Sequence, residues 1–207
     1  MRSPAFRRNG GPRYLLDMLA RGAYPDVTMA LNAIGYQATH HANVASLCNS
    51  LISLRSGAIV AIEGFMNSGK SHLAKTLAAS LSCGVVHADD FIIPSERVLP
   101  YVDRIDFDQL KAALSCSINN SPLLLVEGIC LRDLLARAGV FPELYVYVKR
   151  IAENGLWHDG FHLEDYEANN CSVASEPGKS DLNYHSQSRP HEKAQIVFHR
   201  NLGPEHA

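Results

Sequence analysis

The feature that most constrains the fold is the run Gly-Phe-Met-Asn-Ser-Gly-Lys-Ser at residues 64–71. It fits G-x-x-x-x-G-K-[ST], the pattern of loops that bind phosphate groups. Residues 58–62 before it form a short apolar run typical of a buried strand, and residues 71–81 after it carry apolar side chains at helical spacing. Strand, glycine loop and helix in this order predict a parallel α/β domain that holds a polyphosphate on the loop.

The chemistry expected of this loop follows from its residue types. Gly64 and Gly69 permit backbone angles and close approaches that a Cβ atom would prevent. Lys70 is expected to reach the β- and γ-phosphates of ATP, and Ser71 is expected to hold Mg²⁺. The residues expected to bind the nucleotide are Gly64, Asn67, Ser68, Gly69, Lys70, Ser71 and His72.

Beyond the loop, short apolar runs alternate with segments of helical spacing. This alternation predicts an α/β fold of the P-loop NTPase type, in which a parallel five-stranded sheet has helices on both faces. Residues 168–187 are rich in Asn, Ser, Gly and Pro and are expected to be loop-like or mobile. The predicted strands cover 58–62, 84–88, 123–126, 144–148 and 195–199, and the predicted helices cover 71–81, 106–117 and 131–138.

The first part of the chain is expected to differ from the main domain at 57–207. Residues 1–13 are basic and contain Pro and Gly, which indicates a disordered tail, with an organelle transit peptide as the alternative. Residues 14–56 are expected to form a helical extension that packs on the main domain or on a second copy of the chain, giving a homo-oligomer. Its helices are predicted at about 14–20, 26–35 and 38–54.

Composition narrows the function classes. The formal net charge of −2 gives no support for a general nucleic-acid partner, and no apolar run reaches the length of a membrane span. The five cysteines show no C-x-x-C spacing, so free thiols in a reducing cytoplasm are expected. The sequence therefore predicts a cytoplasmic protein whose partner is a small molecule, with no nucleic acid and no membrane.

Acidic residues follow two of the predicted strands, where the carboxyl ends of a parallel sheet face the ligand crevice. Asp89 and Asp90 close the second strand, where a carboxylate can accept a proton from a hydroxyl or bind Mg²⁺. The pair could equally cap the following turn. Glu127 ends the apolar third strand and is interpreted as a metal-organising acid, the alternative being a glutamate that faces solvent.

A basic pair, Lys149-Arg150, follows the fourth strand and opens a glycine-containing segment. A mobile arginine can neutralise the charge that spreads over a phosphoryl group during its transfer. Arg150 is therefore a candidate catalytic residue, together with Lys70 and Asp89. A solvated basic turn explains the same two residues equally well.

Taken together, these motifs resemble the uridine kinase-like group of P-loop kinases, which includes phosphoribulokinase and the bacterial pantothenate kinase. The matching pieces are the glycine loop at 64–71, Asp-Asp-Phe at 89–91, Val-Glu-Gly-Ile at 126–129 and Glu-Lys-Ala-Gln-Ile-Val at 192–197. They occur in the group's order over about residues 57–200. The group's lid helix commonly carries several arginines, whereas Arg150 stands almost alone here.

The resemblance implies roles for single residues. Asp89 would be the base for the substrate hydroxyl, and Glu127 would be the strand-end acid that, with Ser71, serves the metal. The residues implied to contact the substrate are Asp89, Asp90, Phe91, Arg104 and Asp106.

The function expected from sequence is an ATP-dependent kinase with Mg²⁺, which transfers the γ-phosphoryl group to a hydroxyl of a small metabolite. The acceptor would be nucleoside-like or a related alcohol. The alternative, suggested by the sparse lid and the helical extension, is an ATP-binding regulatory module with little or no turnover. A GTPase or a transporter-type ATPase is less favoured, because the chain lacks their Asn-Lys-x-Asp and Ser-Gly-Gly motifs.

Overall fold

A parallel sheet forms the centre of the part of the chain that the structure describes. The computed structural model describes residues 37–94, 98–170 and 175–202. Within these residues the sheet has six strands in the order β1-β6-β5-β2-β4-β3, and every neighbouring pair is parallel. The strands are β1 (Thr39–His41), β2 (Ala58–Glu63), β3 (Gly84–His87), β4 (Leu123–Glu127), β5 (Leu144–Ile151) and β6 (Ile196–Asn201).

Helices connect the strands, as a parallel sheet requires. They are α1 (Val44–Leu51), α2 (Lys70–Leu81), α3 (Phe107–Asn120), α4 (Leu131–Ala138), α5 (Gly160–Glu167), α6 (Gly178–Ser188) and α7 (Pro190–Lys193). Two short 3₁₀ helices, Ala88–Phe91 and Tyr101–Arg104, lie between β3 and α3. None of the described helices combines the length and the apolar character needed to cross a membrane.

The sheet is covered on both faces, which explains why its central strands β2 and β4 are apolar up to the glutamate that ends each. All five residues of β4 are buried, and successive side chains enter different cores. Leu124 and Val126 pack in the core that contains α3 and α4, whereas Leu123 and Leu125 pack in the core that contains α1 and α2. The predicted parallel α/β architecture is therefore confirmed. Because β2 lies between β4 and β5, the loop after it emerges at the middle of the sheet.

The predicted number of five strands is wrong, because β1 adds a sixth at the edge. Thr39 pairs with Ile196, and its backbone N–H donates to the carbonyl oxygen of Gln195 at 2.9 Å. The helix predicted over 38–54 is accordingly shorter, with Asn43 capping α1 by accepting from Ser46 N at 2.8 Å. A three-residue, mostly exposed edge strand carries no alternating apolar pattern that would reveal it in sequence. The helices predicted at 14–20 and 26–35, and the tail at 1–13, lie outside the described residues.

The prediction of a loop over 168–187 is also wrong, because α6 occupies much of this segment. Its composition is poor in helix formers, and tertiary contacts hold it instead. Four of its side chains are buried, among them Asp181, Tyr184 and His185. Helix α5, just before this segment, was not predicted either. The proposed domain boundary at 56/57 stays a prediction.

Candidate active site

The glycine loop between β2 and α2 is held by close backbone contacts. A Cβ atom at Gly64 would lie 2.7 Å from the carbonyl oxygen of Val148, closer than real contacts allow. Gly69 has φ +96 and immediately precedes α2, and a Cβ atom there would lie 2.5 Å from Nη1 of Arg200. Gly64 is therefore required by the nearby backbone and by its positive φ of +154, and Gly69 is required mainly by its backbone angle, because the side chain of Arg200 could move.

Lys70 points into the loop that precedes it. Its side chain is 6% exposed, and Nζ donates to the carbonyl oxygen of Phe65 at 2.7 Å. Burial lowers the pKa of Lys70, while the negative charges of Asp181, Glu127 and Asp89 act in the opposite direction. The ammonium group thus lies among carboxylates at the place where a polyphosphate would need a cation.

The strand-end acid Glu127 lies beside the loop and is buried. Its Oε1 accepts from Ser71 Oγ at 2.9 Å and lies 2.6 Å from His87 Nδ1. His87 and Glu127 are register partners on β3 and β4, which explains why their side chains meet. The hydroxyl of Ser71 and the carboxylate of Glu127 are hard oxygen donors that suit Mg²⁺.

The loops after β3 and β4 touch through small residues. A Cβ atom at Gly128 would lie 2.7 Å from the Cβ atom of Ala88, so the two backbones approach as closely as a glycine permits. Asp89 and Glu127 adjoin these two residues along the chain. The close approach therefore fixes the spacing between the two loops that carry the acids.

The carboxylate of Asp89 has a partner that the sequence reading missed. The hydroxyl of Tyr101 donates a short hydrogen bond to Asp89 Oδ1. Burial, with the neighbouring Asp89 charge as the second cause, raises the pKa of Tyr101 far above its usual range. Tyr101 therefore keeps its proton and acts as the donor that orients Asp89. Its own position is fixed by Ser180 Oγ, which accepts from the Tyr101 backbone N–H at 3.0 Å.

A cleft of about 320 Å³ brings together most of the predicted nucleotide, metal and base residues. Its lining includes Asn67, Gly69, Lys70, Ser71, Asp89 and Glu127. The sequence reading missed Tyr101 and the apolar side of the cleft, which is formed by Ile92, Ile129 and Pro177. The cleft thus has a polar end at the glycine loop and an apolar wall beside Asp89.

The other residues predicted to contact substrate do not line this cleft. Asp90 is exposed, and Phe91 packs against the core that contains α3 and α4. Arg104 is half-buried, and its Nε has no hydrogen-bond partner among the described residues. Asp106 caps α3 by accepting from the Gln109 backbone N–H at 3.0 Å, and this bond lowers the pKa of Asp106. Their substrate roles stay predictions.

Arg150 lies in a second cavity and is held by an acid. Its Nε donates to Asp159 Oδ2 at 3.2 Å, and its Nη2 donates to Oδ1 of the same buried carboxylate. The cavity, of about 350 Å³, is also lined by Asn67, His158 and Arg200. The predicted catalytic arginine is therefore not among the residues that line the cleft of Lys70 and Asp89.

Helix α6 lies against the glycine loop and the strand before it. Asp181 Oδ2 accepts from the Met66 backbone N–H at 2.6 Å, and the ring of His185 stacks on that of Phe65 with centroids 3.6 Å apart. Tyr184 donates to Glu63 Oε2 at 2.7 Å. Helix α6 therefore packs against the glycine loop, although its composition predicted no helix there.

Glu63 is the fully buried residue before Gly64 and was missed by the sequence reading. Besides Tyr184, Arg132 Nε donates to its Oε1 at 2.8 Å. A charged residue at the end of an apolar strand is a signal that would have identified this site, because a buried carboxylate requires partners. Its partners come from α4 and α6, which no local pattern indicates.

Comparison with known proteins assigns the fold. No family model matches the chain, and no curated protein matches it. A possible uridine kinase from Bacillus stearothermophilus superposes with a TM-score of 0.53 and 17% identity, covering 75% of this chain and 96% of that one. This chain has the same fold as that structure. The resemblance to uridine kinase-like proteins is thereby confirmed at the level of fold, which is what similarity at this identity shows.

Two more distant structures have TM-scores below 0.5. A putative fructose transport system kinase from Silicibacter sp. TM1040 gives 0.41 at 17% identity, covering 76% of this chain and 99% of that one. Shikimate kinase from Acinetobacter baumannii, in complex with shikimate, gives a TM-score of 0.40 at 14% identity, covering 75% of this chain and 89% of that one. The fold assignment rests on the uridine kinase-like structure.

Proposed function

We propose that this P-loop kinase fold transfers the γ-phosphoryl group of ATP to a hydroxyl of a small metabolite, nucleoside-like or a related alcohol. The observation that carries the proposal is the single cleft shared by Lys70, the Ser71–Glu127 pair and Asp89. These groups are the cation, the metal ligands and the base that the reaction needs. An isolated glycine loop would not support the proposal, since nucleotide binding alone requires no carboxylate on the acceptor side.

The nucleotide end of the cleft would hold ATP. The loop's backbone N–H groups would bind the phosphates, while Ser71 and Glu127 would hold Mg²⁺, which would supply positive charge to neutralise that of the phosphates. Lys70 would leave the Phe65 carbonyl and stabilise the negative charge on the transferred group.

The acceptor end would hold an alcohol between Asp89 and the apolar wall. The proton of its hydroxyl passes to Asp89, the oxygen forms a bond to the γ-phosphorus, and the bond from that phosphorus to the β–γ bridging oxygen breaks, releasing ADP. Tyr101 orients Asp89 through its hydrogen bond, so the carboxylate faces the acceptor in one rotamer.

The test is acceptor-dependent formation of ADP. The purified full chain is incubated with ATP and Mg²⁺ and screened against nucleosides, pantothenate-like alcohols and sugars, with Asp89→Asn as the matched inactive variant. The proposal expects at least one acceptor to increase ADP formation in the wild type and to have no effect on the variant. ADP formation that is the same with and without every acceptor would contradict it.

A regulatory module that binds ATP with little or no turnover is the second candidate. Two contacts favour it. Asp159 binds Arg150, the candidate lid arginine, and Asp181 binds the backbone of Met66, which holds α6 against the glycine loop. Tight ATP binding, with no acceptor-dependent ADP formation across the whole panel, would select this function.

A further inference from the structure

Two arginines lie side by side at the carboxyl ends of β5 and β6. Arg150 and Arg200 are register partners in this parallel pair, so their side chains leave the sheet on the same face. Both line the cavity of about 350 Å³ that Asn67 of the glycine loop also borders. Two cations at neighbouring positions repel each other unless negative charge lies nearby.

The two arginines differ in whether a carboxylate lies beside them. Arg150 is paired with the buried carboxylate of Asp159. Arg200 donates from Nη1 to the carbonyl oxygen of Ser68 at 3.3 Å, and among the residues that the structure describes it forms no ion pair. Arg200 is thus a cation beside the phosphate loop whose charge the described carboxylates do not neutralise.

The position of Arg200 is set by the loop itself. Its side chain lies against Gly69, where a Cβ atom would be 2.5 Å from Nη1 and 2.8 Å from Cδ. It also borders an adjoining cavity with His72 and Thr76 of α2. Arg200 is not among the residues that line the cleft of Asp89. Arg200 therefore contacts the glycine loop without lining the cleft that contains Lys70 and Asp89.

We infer that Arg200 binds the phosphates of the nucleotide that are not transferred, and that it holds ATP and ADP equally. This inference rests on the proposed function and names a binding residue for it. A guanidinium group is planar and always charged, and it can donate two parallel hydrogen bonds to a phosphate. Because Arg150 is already engaged by Asp159, Arg200 is the arginine of the pair whose binding capacity is available.

The inference is tested by titration calorimetry of ADP and of ATP without an acceptor. The chains compared are the wild type, Arg200→Met, Arg200→Lys, and Arg137→Met, a control arginine that pairs with Asp103 and is 54% exposed. Loss of the Arg200 charge is expected to weaken both nucleotides by a similar factor of about tenfold, which corresponds to about 1.4 kcal/mol. Arg200→Lys should recover part of the affinity, and the control should bind as the wild type does.

The outcomes separate this inference from the proposed function. Unchanged ADP affinity in Arg200→Met overturns the inference, and so does weakening confined to ATP, which would place the arginine on the transferred group. Should the methionine variant not fold, Arg200→Gln keeps a donor for Ser68 without the charge and is judged by the same criteria. A wild type that binds ADP but has no acceptor overturns the proposed function alone. Failure of the wild type to bind either nucleotide overturns both.

Discussion

Asp181 accepts a hydrogen bond from the backbone N–H of Met66 at 2.6 Å, which connects helix α6 to the glycine loop. The same carboxylate lies 3.1 Å from His185 Nδ1, and both side chains are buried. His185 in turn stacks on Phe65, the residue whose carbonyl oxygen accepts from Lys70. The position of Lys70 therefore depends on a helix more than a hundred residues away in the chain.

Removing this contact is expected to destabilise the protein. Asp181→Ala should lower the free energy of unfolding by about 2 kcal/mol, because it removes a hydrogen bond to a charged acceptor. Asp181→Asn keeps an oxygen acceptor for Met66 and should cost less. Urea unfolding measures both, with Asp165→Ala, an exposed acid on α5, as the control. Equal stability of Asp181→Ala and the wild type would show that the contact contributes nothing.

Replacing the loop lysine should abolish phosphoryl transfer. Lys70→Met keeps the length of a buried side chain and removes the charge expected to stabilise the transferred group. The loss in kcat should be on the order of 10² or more. Circular dichroism establishes that the variant is folded, and Lys75→Met, an exposed lysine on the same helix, is the control. A folded Lys70→Met protein with normal turnover would be incompatible with the kinase mechanism.

The two adjacent acids after β3 are expected to behave differently. Both side chains are exposed, but Asp89 lines the cleft and accepts from Tyr101, whereas Asp90 is not among the residues that line the cleft. Asp89→Asn should therefore lower kcat steeply while the ATP affinity stays near that of the wild type, and Asp90→Asn should remain active. Steady-state kinetics with the acceptor found by screening provide the measurement. If Asp90→Asn is inactive and Asp89→Asn is active, the base is Asp90.

Replacing Glu127 should weaken Mg²⁺ binding and leave the proton transfer from the acceptor unaffected. Its carboxylate accepts from Ser71, so Glu127→Gln is expected to raise the Mg²⁺ concentration required for half-maximal activity and to weaken productive ATP binding. Titration of Mg²⁺ at fixed ATP, compared with Asp89→Asn, tests this. A normal Mg²⁺ requirement in Glu127→Gln would remove Glu127 from the metal site.

Acid should destabilise the protein through His191. Burial, together with the neighbouring His185, Lys149 and Arg189, lowers its pKa to about 3, although Glu192 lies 3.5 Å away. The folded protein therefore holds His191 neutral, while the unfolded chain binds a proton below the ordinary pKa of about 6.5. Stability present above pH 6.5 is lost as the pH falls from there towards 3.

The contribution of His191 is isolated by substitution. The melting temperature of His191→Gln should fall less steeply between about pH 6.5 and pH 3 than that of the wild type, because the variant cannot bind this proton. His162→Gln, an exposed histidine on α5, should follow the wild type. Parallel curves for His191→Gln and the wild type would mean that His191 does not control the acid response.

The glycine loop, the central strands and the acids after them could be predicted because each has a local signal. The loop has a fixed spacing, and residues 123–126 of β4 are all apolar since both faces of the sheet are covered. Asp89 and Glu127 were found because parallel strands end at one edge. These features depend on neighbours in the chain or on the sheet as a whole.

The features that were missed depend on distant pairings. Strand β1 exists because Thr39 pairs with Ile196, and α6 is stabilised by Asp181 and Tyr184, whose partners lie near the loop. Tyr101 reaches Asp89 from a separate 3₁₀ helix. The partners of β1 and α6 lie more than a hundred residues away along the chain, so composition alone indicated a helix over β1 and a loop over α6. Tyr101 is only 12 residues from Asp89, but no motif links the two.

The contact between Gly128 and Ala88 limits how this site can be redesigned. A Cβ atom at Gly128 would lie only 2.7 Å from that of Ala88, so a larger residue at position 128 would force the loops of Glu127 and Asp89 apart. Under the proposed function, the size of the acceptor would be changed at the apolar wall, at Ile92, Ile129 or Pro177, while this spacing is kept. The positions of the proposed reacting groups and the size of the proposed acceptor would then depend on different residues.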